Sequence, residues 1–128
     1  MVLIATVAAG AVALGACGGG GGGGTKATAA SASSCGKASQ GQITVIAKDL
    51  AFNTSCLLSP PGAALDITFE NQDTGVNHDF HLLGAPGNPQ TLLKAGPATQ
   101  RLSVELPLGT YKYVCDVHPT MVGELRVG

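Results

Sequence analysis

The residues best suited to chemistry lie near the C-terminal end of the chain, where Cys115, His118 and Met121 follow one another within seven positions. A fourth candidate, His78, lies well upstream. A thiolate, two imidazoles and a thioether are the donors of a trigonal His2Cys copper site with a weak axial Met. These residue types are scarce, because the chain has three histidines and two methionines. We therefore predict one mononuclear copper ion bound by these four side chains.

The segment that carries these donors must turn sharply. Side chains alternate between the two faces of a strand, so Tyr111, Tyr113 and Cys115 should share the face toward the core. His118 lies three positions further on, which is the wrong parity for one straight strand, so the chain must turn after the cysteine. Pro119 suits such a turn because it restricts the preceding residue to extended geometry. Since the upstream histidine must come from a distant strand, copper binding and folding should be coupled.

Short strands are the elements that must position these donors. From residue 42 onward, alternating or β-branched runs are separated by Pro, Gly, Asn and Asp, a pattern typical of strands joined by turns. The predicted strands cover residues 42–48, 64–71, 79–83, 100–105, 110–115 and 123–127. They predict an all-β antiparallel sandwich, in which residues 90–94 are compatible with one helical turn. The aromatic residues expected in its core are Phe52, Phe69, Phe80, Tyr111 and Tyr113.

Two motifs in the second half of the chain carry a family resemblance. Residues 71–80 read Asn-Gln-Asp-x3-Asn-His-Asp-Phe, and residues 109–123 read Gly-Thr-Tyr-x3-Cys-Asp-Val-His-Pro-Thr-Met-Val-Gly. Together they resemble the cupredoxins, the blue or type 1 copper proteins of the amicyanin-like and plastocyanin-like kind, and the Cys-x2-His-x2-Met loop is similar to the short ligand loop of amicyanin-like members. The resemblance implies a Greek-key β-sandwich with copper near one end. The ligands it implies are His78, Cys115 and His118, with Met121 as the axial ligand.

Three further polar residues lie beside the candidate ligands. In many cupredoxins the residue after the first ligand histidine is Asn, which ties the two ligand loops together, but this chain has Asp79 there. It also has Asp116 directly after the cysteine. We expect these two carboxylates either to repel each other or to share a proton. His81 has a different parity from His78, so we expect it at the surface or behind the ligands rather than on the metal.

The donor set favours a carrier of single electrons. Thiolate and thioether ligands favour Cu(I), whereas imidazole suits both oxidation states, so the site should change little when the electron moves. Four protein donors leave no open position for a substrate, which argues against an enzyme. The alternative is a copper-holding or copper-delivery protein with the same ligands. A dinuclear centre would need a second thiolate in the loop, and residues 116–120 contain none. A domain that has lost its metal is disfavoured, because all four candidate ligands are present.

Length and charge limit the possible partners. A chain of 128 residues corresponds to one domain with additional segments, and a net charge of −1 gives no basic surface for nucleic acid. We therefore do not expect nucleic acid as a partner. For a single-electron carrier, we expect a monomer whose partners are redox proteins.

The first residues resemble an export signal. Residues 2–16 are apolar, uncharged and rich in small residues, which is typical of the hydrophobic region of a signal peptide. They end in Leu14-Gly15-Ala16-Cys17, which resembles the bacterial lipoprotein box and implies cleavage before Cys17 and acylation of that cysteine. No Lys or Arg precedes Cys17, so the usual positive region is missing, and a plain signal peptide is the alternative. Both interpretations predict an extracytoplasmic or periplasmic protein, and acylation would add an anchor in a bacterial membrane.

A low-complexity segment follows this signal. Residues 18–24 are seven consecutive glycines, and residues 25–34 are rich in Ala, Ser, Thr and Lys. Neither segment can bury enough apolar surface to become ordered. We therefore divide the chain into a signal peptide (1–16), an acylated cysteine with a flexible tether (17–40) and a copper-binding domain (41–128).

The cysteine count constrains the disulfides. Four cysteines allow three pairings if all are oxidised. If Cys17 carries lipid, one of the other three stays unpaired. Cys115 lies beside the other metal donors, which leaves Cys35 and Cys56 to form a bridge that would stabilise the fold by about 3 kcal/mol. The competing pairing of Cys56 with Cys115 would remove the copper thiolate and leave the placement of the histidines and methionine unexplained.

Overall fold

Strands form where apolar and polar side chains alternate. In Gln42–Lys48, for example, Ile43, Val45 and Ala47 are buried while the residues between them are more exposed, as expected for a strand with one face on the core. The computed structural model describes residues 35–128, and within this range all regular secondary structure is β. The strands are β1 (Gly36–Lys37), β2 (Gln42–Lys48), β3 (Ala51–Phe52), β4 (Cys56–Ser59), β5 (Ala64–Asn71), β6 (Asn77–His78), β7 (His81–Leu83), β8 (Lys94–Ala95), β9 (Ala98–Glu105), β10 (Gly109–Cys115) and β11 (His118–Val127).

These strands form two sheets and a short ribbon. One sheet has the order β1-β4-β11-β10-β7, the other has the order β3-β2-β5-β9, and β6 pairs with β8. The predicted all-β sandwich is confirmed. Its pairing is mixed rather than purely antiparallel, because β1/β4, β4/β11 and β2/β5 run parallel. Parallel neighbours need a crossover connection, and the chain makes one between β2 and β5 by passing through β4 of the opposite sheet.

Most predicted strands lie where the sequence pattern placed them. β2 and β5 have the predicted bounds, and β9 and β10 each begin one or two residues earlier than predicted. β11 begins at His118 rather than at residue 123, because the segment with the metal donors itself pairs with β10. Of the strand predicted for residues 79–83, only residues 81–83 form one, because β6 ends at His78 and β7 begins at His81. The remaining five strands, β1, β3, β4, β6 and β8, are short and were not predicted.

The helical turn predicted for residues 90–94 is wrong. This segment is extended and runs beside β7, where the N–H of Thr91 donates to the carbonyl of Phe80 at 2.9 Å and the N–H of Leu82 donates to that of Pro89 at 2.9 Å. The N–H of Thr91 is therefore satisfied by a neighbouring segment of the chain rather than within a helix.

The core between the sheets is built around a cluster of aromatic rings. Phe69, Phe80 and Tyr113 are fully buried, and Phe52 packs against them. Ring centroids in this cluster are 5.1–6.4 Å apart, which is the range of favourable aromatic pairs. Tyr111 is partly buried at the edge of the core. Because two of these aromatic residues lie two positions from a candidate ligand, the core fixes the strands that carry the site.

The folded region begins upstream of residue 41. Cys35 and Cys56 are joined by a disulfide, and Gly36–Lys37 pairs with β4, so residues assigned above to the tether belong to the sheet. The predicted signal peptide, Cys17 and the tether as far as residue 34 lie outside the described residues. Among the residues that are described, no helix is long and apolar enough to cross a lipid bilayer.

Candidate metal centre

The hairpin of β10 and β11 carries three of the four predicted donors. Cys115 and His118 face each other across a two-residue turn, so the chain turns directly after the cysteine. The next paired residue on β11 is Val122, which leaves residues 119–121 as a bulge. A bulge re-aims side chains relative to a regular strand, and Met121, the last residue of this one, is 1% exposed.

The fourth donor comes from a different part of the sandwich. His78 ends β6 and is fully buried. Its Nδ1 lies 3.7 Å from the Sγ of Cys115, and the Nδ1 of His118 lies 3.4 Å from the same sulfur. Donor atoms of these three residues all lie within 4.8 Å of one another, and Met121 lies close to them. The structure therefore brings all four predicted ligands together.

The sulfur of Cys115 is enclosed and reduced. This residue is 3% exposed and is the one cysteine in residues 35–128 without a disulfide, since Cys56 is bonded to Cys35 instead. Burial raises the pKa of the Cys115 thiol, whereas hydrogen bonds from the backbone N–H groups of Asp79 and Val117 lower it. A cation at this position would stabilise the thiolate form that burial disfavours.

An aspartate lies directly behind His78. The Oδ2 of Asp73 is 2.8 Å from the Nε2 of His78, the ring nitrogen that does not face the sulfur. The same carboxylate accepts hydrogen bonds from the backbone N–H of Asp49 at 2.7 Å and of Leu50 at 3.1 Å. The N–H groups of Leu50 and Asp49, followed by the ring of His78, lower the pKa of Asp73 to about 2. The imidazole is thus oriented by a carboxylate on the side away from the other donors.

The two acidic residues beside the ligands have separate partners. Asp79 is 2% exposed, and its Oδ1 accepts a hydrogen bond at 2.8 Å from the backbone N–H of Asp116. The carboxylate of Asp116 instead pairs with the Nδ1 of His81 at 2.8 Å. The two carboxylates therefore do not share a proton, because each has a different partner. His81 is paired with Asp116 and is not among the residues whose donor atoms converge.

Two roles were missed from the sequence. Asp73 lies in the Asn-Gln-Asp segment of the first motif, but the turn that brings it back to His78 was not apparent. The general rule that a metal-binding histidine donates its other ring N–H to a carboxylate or carbonyl could have identified it. The role of Asn in tying the two ligand segments together was not assigned to Asp79, yet its carboxyl oxygen accepts the hydrogen bond from Asp116 that joins them.

The donor set fits a single copper ion. Two imidazole nitrogens, a thiol sulfur and a thioether sulfur form the combination preferred by type 1 copper rather than by hard cations, which take oxygen ligands. The sulfur-to-nitrogen distances of 3.4 and 3.7 Å are those expected when both atoms bind one first-row metal ion at about 2.0–2.3 Å. His78, Cys115 and His118 would hold the ion, with Met121 as the weak axial donor.

Comparison with known proteins agrees with this chemistry. Residues 25–127 match the model of the cupredoxin-like domain. Among solved structures, auracyanin A, a blue copper protein from Chloroflexus aurantiacus, is 23% identical with a TM-score of 0.61, and the match covers 73% of this chain and 100% of that one. A reduced variant of amicyanin is 26% identical with a TM-score of 0.53, covering 71% and 86%. Rusticyanin variants are 24% identical with a TM-score of 0.56, covering 72% and 80%.

No curated protein matches the chain significantly. The family match nevertheless covers most of the sequence, and the converging donors lie inside the matched region. The chain therefore belongs to the cupredoxin-like domain family, whose cofactor is one type 1 copper ion.

Proposed function

We propose that this protein is a carrier of single electrons that uses one mononuclear type 1 copper ion. His78, Cys115 and His118 would bind the ion, with Met121 as the axial ligand. The observation that carries the proposal is the convergence of two imidazoles on a buried, reduced cysteine, with donor atoms within 4.8 Å of one another. Such a donor set changes little between Cu(II) and Cu(I), so that electron transfer needs little rearrangement.

Burial of the donors favours electron transfer over copper delivery. His78, Cys115 and Met121 are at most 3% exposed, so an acceptor protein could not reach them to exchange ligands without opening the sandwich. A delivery protein that uses the same ligands remains the alternative function. It would transfer copper readily and exchange electrons slowly, whereas a carrier would do the opposite.

The partly exposed ligand supports a route for the electron. Of the four donors, His118 alone is half-buried rather than buried. Val117 and Pro119 on either side of it are exposed, which gives a small apolar rim around the imidazole. We propose that electrons enter and leave through this edge, and that a charged residue in place of Pro119 slows electron exchange with physiological partners.

The location of the protein outside the cytoplasm is part of the same proposal. The apolar residues 2–16 and the Leu-Gly-Ala-Cys sequence that ends at Cys17 support export and acylation of that cysteine. A lipid-anchored carrier outside the cytoplasm would then shuttle electrons between redox proteins as a monomer rather than act as an enzyme. The Cys35–Cys56 disulfide is consistent with an oxidising compartment.

Visible and EPR spectra after addition of Cu(II) test this function. We expect an intense visible band from thiolate-to-copper charge transfer and an EPR spectrum of one mononuclear Cu(II) ion. The matched control is Cys115→Ala, which should abolish the band because it removes the thiolate. Absence of the band from the wild-type protein, or its persistence in the variant, would falsify the proposal.

A further inference from the structure

The orientation of the buried imidazole of His78 is fixed at both ring nitrogens. Its Nδ1 faces the sulfur of Cys115 at 3.7 Å, and its Nε2 lies 2.8 Å from the carboxylate of Asp73. If the Nδ1 binds a metal ion, the ring proton must be on the Nε2, where it is donated to Asp73. The ring of His118 has no such anionic partner among residues 35–128, since its one hydrogen-bond contact there is with Cys115.

Asp73 is itself held in a defined position. Its backbone N–H donates to the Oδ1 of Asn71 at 3.0 Å. The amide of Asn71, which is 1% exposed, donates in turn to the carbonyl oxygens of Val76 at 2.8 Å and Lys94 at 2.9 Å. The segment between β5 and β6 is therefore tied to β8, which holds in place the backbone from which the carboxylate of Asp73 extends.

The turn between β2 and β3 also holds the carboxylate of Asp73 in place. Asp49 and Leu50 connect β2 to β3, and both have positive φ angles, 53° and 58°. This left-handed pair is typical of a tight hairpin turn but is unfavourable for residues with a Cβ atom. In this conformation both backbone N–H groups reach the carboxylate of Asp73, at 2.7 and 3.1 Å. The turn and the histidine thus share one aspartate.

We propose that Asp73 is a positioning residue for His78 that lowers the reduction potential of the copper site. This inference rests on the proposed copper function. A carboxylate that accepts the Nε2–H bond fixes the ring orientation and makes the imidazole a stronger donor. Its negative charge stabilises Cu(II) more than Cu(I), because the interaction energy scales with the charge on the ion. The couple concerned is Cu(II) plus one electron giving Cu(I), with no proton transferred.

The test compares Asp73→Asn with wild-type protein by voltammetry and copper-affinity measurements. Loss of a hydrogen-bonded carboxylate behind a metal-binding histidine typically costs about 10- to 100-fold in metal affinity, and here the loss should be larger for Cu(II) than for Cu(I). Each tenfold difference between the two losses corresponds to a rise of about 59 mV in the potential of a one-electron couple. The matched control is Asp66→Asn, which removes an aspartate whose side chain contacts Ser103 instead of a ligand.

A second measurement does not depend on any variant. In the diamagnetic Cu(I) form, nitrogen-15 NMR of the wild-type protein should show the ring of His78 protonated at the Nε2, with slow exchange of that proton. A His78 ring protonated at the Nδ1 instead, or a potential of Asp73→Asn that equals that of Asp66→Asn, would overturn the inference. Failure of the wild-type protein to show the thiolate-to-copper band would instead overturn the proposed function, so the two failures are distinguishable.

Discussion

The carboxyl oxygen of Asp79 accepts a hydrogen bond at 2.8 Å from the backbone N–H of Asp116. Each residue directly follows a candidate ligand, His78 in one case and Cys115 in the other. This single bond therefore ties together the two chain segments that supply the donors. It lies in a buried setting, since Asp79 is 2% exposed, so its removal should have a measurable cost.

We predict that Asp79→Ala lowers the free energy of unfolding of the apoprotein by about 1–3 kcal/mol, because it leaves the N–H of Asp116 without its acceptor. Asp79→Asn should retain most of the stability, since an amide oxygen can accept the same bond. Urea unfolding of both variants measures the difference. Equal stabilities of the two variants would show that the hydrogen bond is not what Asp79 contributes.

Gly123 should not tolerate a side chain. It pairs with Tyr113 across β10 and β11, and a Cβ atom at this position would overlap the Cζ of the tyrosine ring. Because that ring is fully buried, it cannot move aside freely. We expect Gly123→Ala to destabilise the protein by about 1–3 kcal/mol. Gly128→Ala is the control, since a Cβ atom there meets nothing within 4 Å, and thermal unfolding of the two variants should differ clearly.

Replacement of Met121 should change the reduction potential of the copper site more than it changes the stability of the fold. Met121→Leu nearly conserves volume at a position that is 1% exposed, so the cost in stability should stay below about 1.5 kcal/mol. Loss of the thioether removes a donor to the copper ion and leaves a more apolar site, which should raise the reduction potential. Voltammetry measures the shift. Val122→Leu changes the adjacent, outward-facing residue, and an equal shift in that variant would contradict the axial role of Met121.

The Cys35–Cys56 disulfide should act on stability and not on the metal centre. It encloses residues 35–56 and fastens β1 to β4, whereas the donor sulfur belongs to Cys115. We expect the double replacement by Ala to lower the free energy of unfolding by about 3 kcal/mol, while the visible band of the copper-loaded protein stays unchanged. A large change in that band would show that the bridge also shapes the site.

The sequence indicated the all-β class and the copper donors because both depend on local chemistry. Alternation of apolar residues predicted β2 and β5 with their observed bounds, since the side-chain period of a strand is visible in the sequence. The scarcity and spacing of Cys, His and Met indicated His78, Cys115, His118 and Met121, because this combination of donors is typical of type 1 copper.

Only the tertiary structure decided how the strands pair and which side chains form hydrogen bonds around these donors. Parallel pairing of β2 with β5 depends on a crossover through the other sheet, which no local pattern encodes. The contact between Asp73 and His78 depends on a turn, and the separate partners of Asp79 and Asp116 depend on where the backbone of one segment meets the side chain of another. The sequence by itself thus determined which atoms can bind a metal, whereas the fold determined which carboxylates lie behind them, because hydrogen bonds between distant segments are set by their relative position in space.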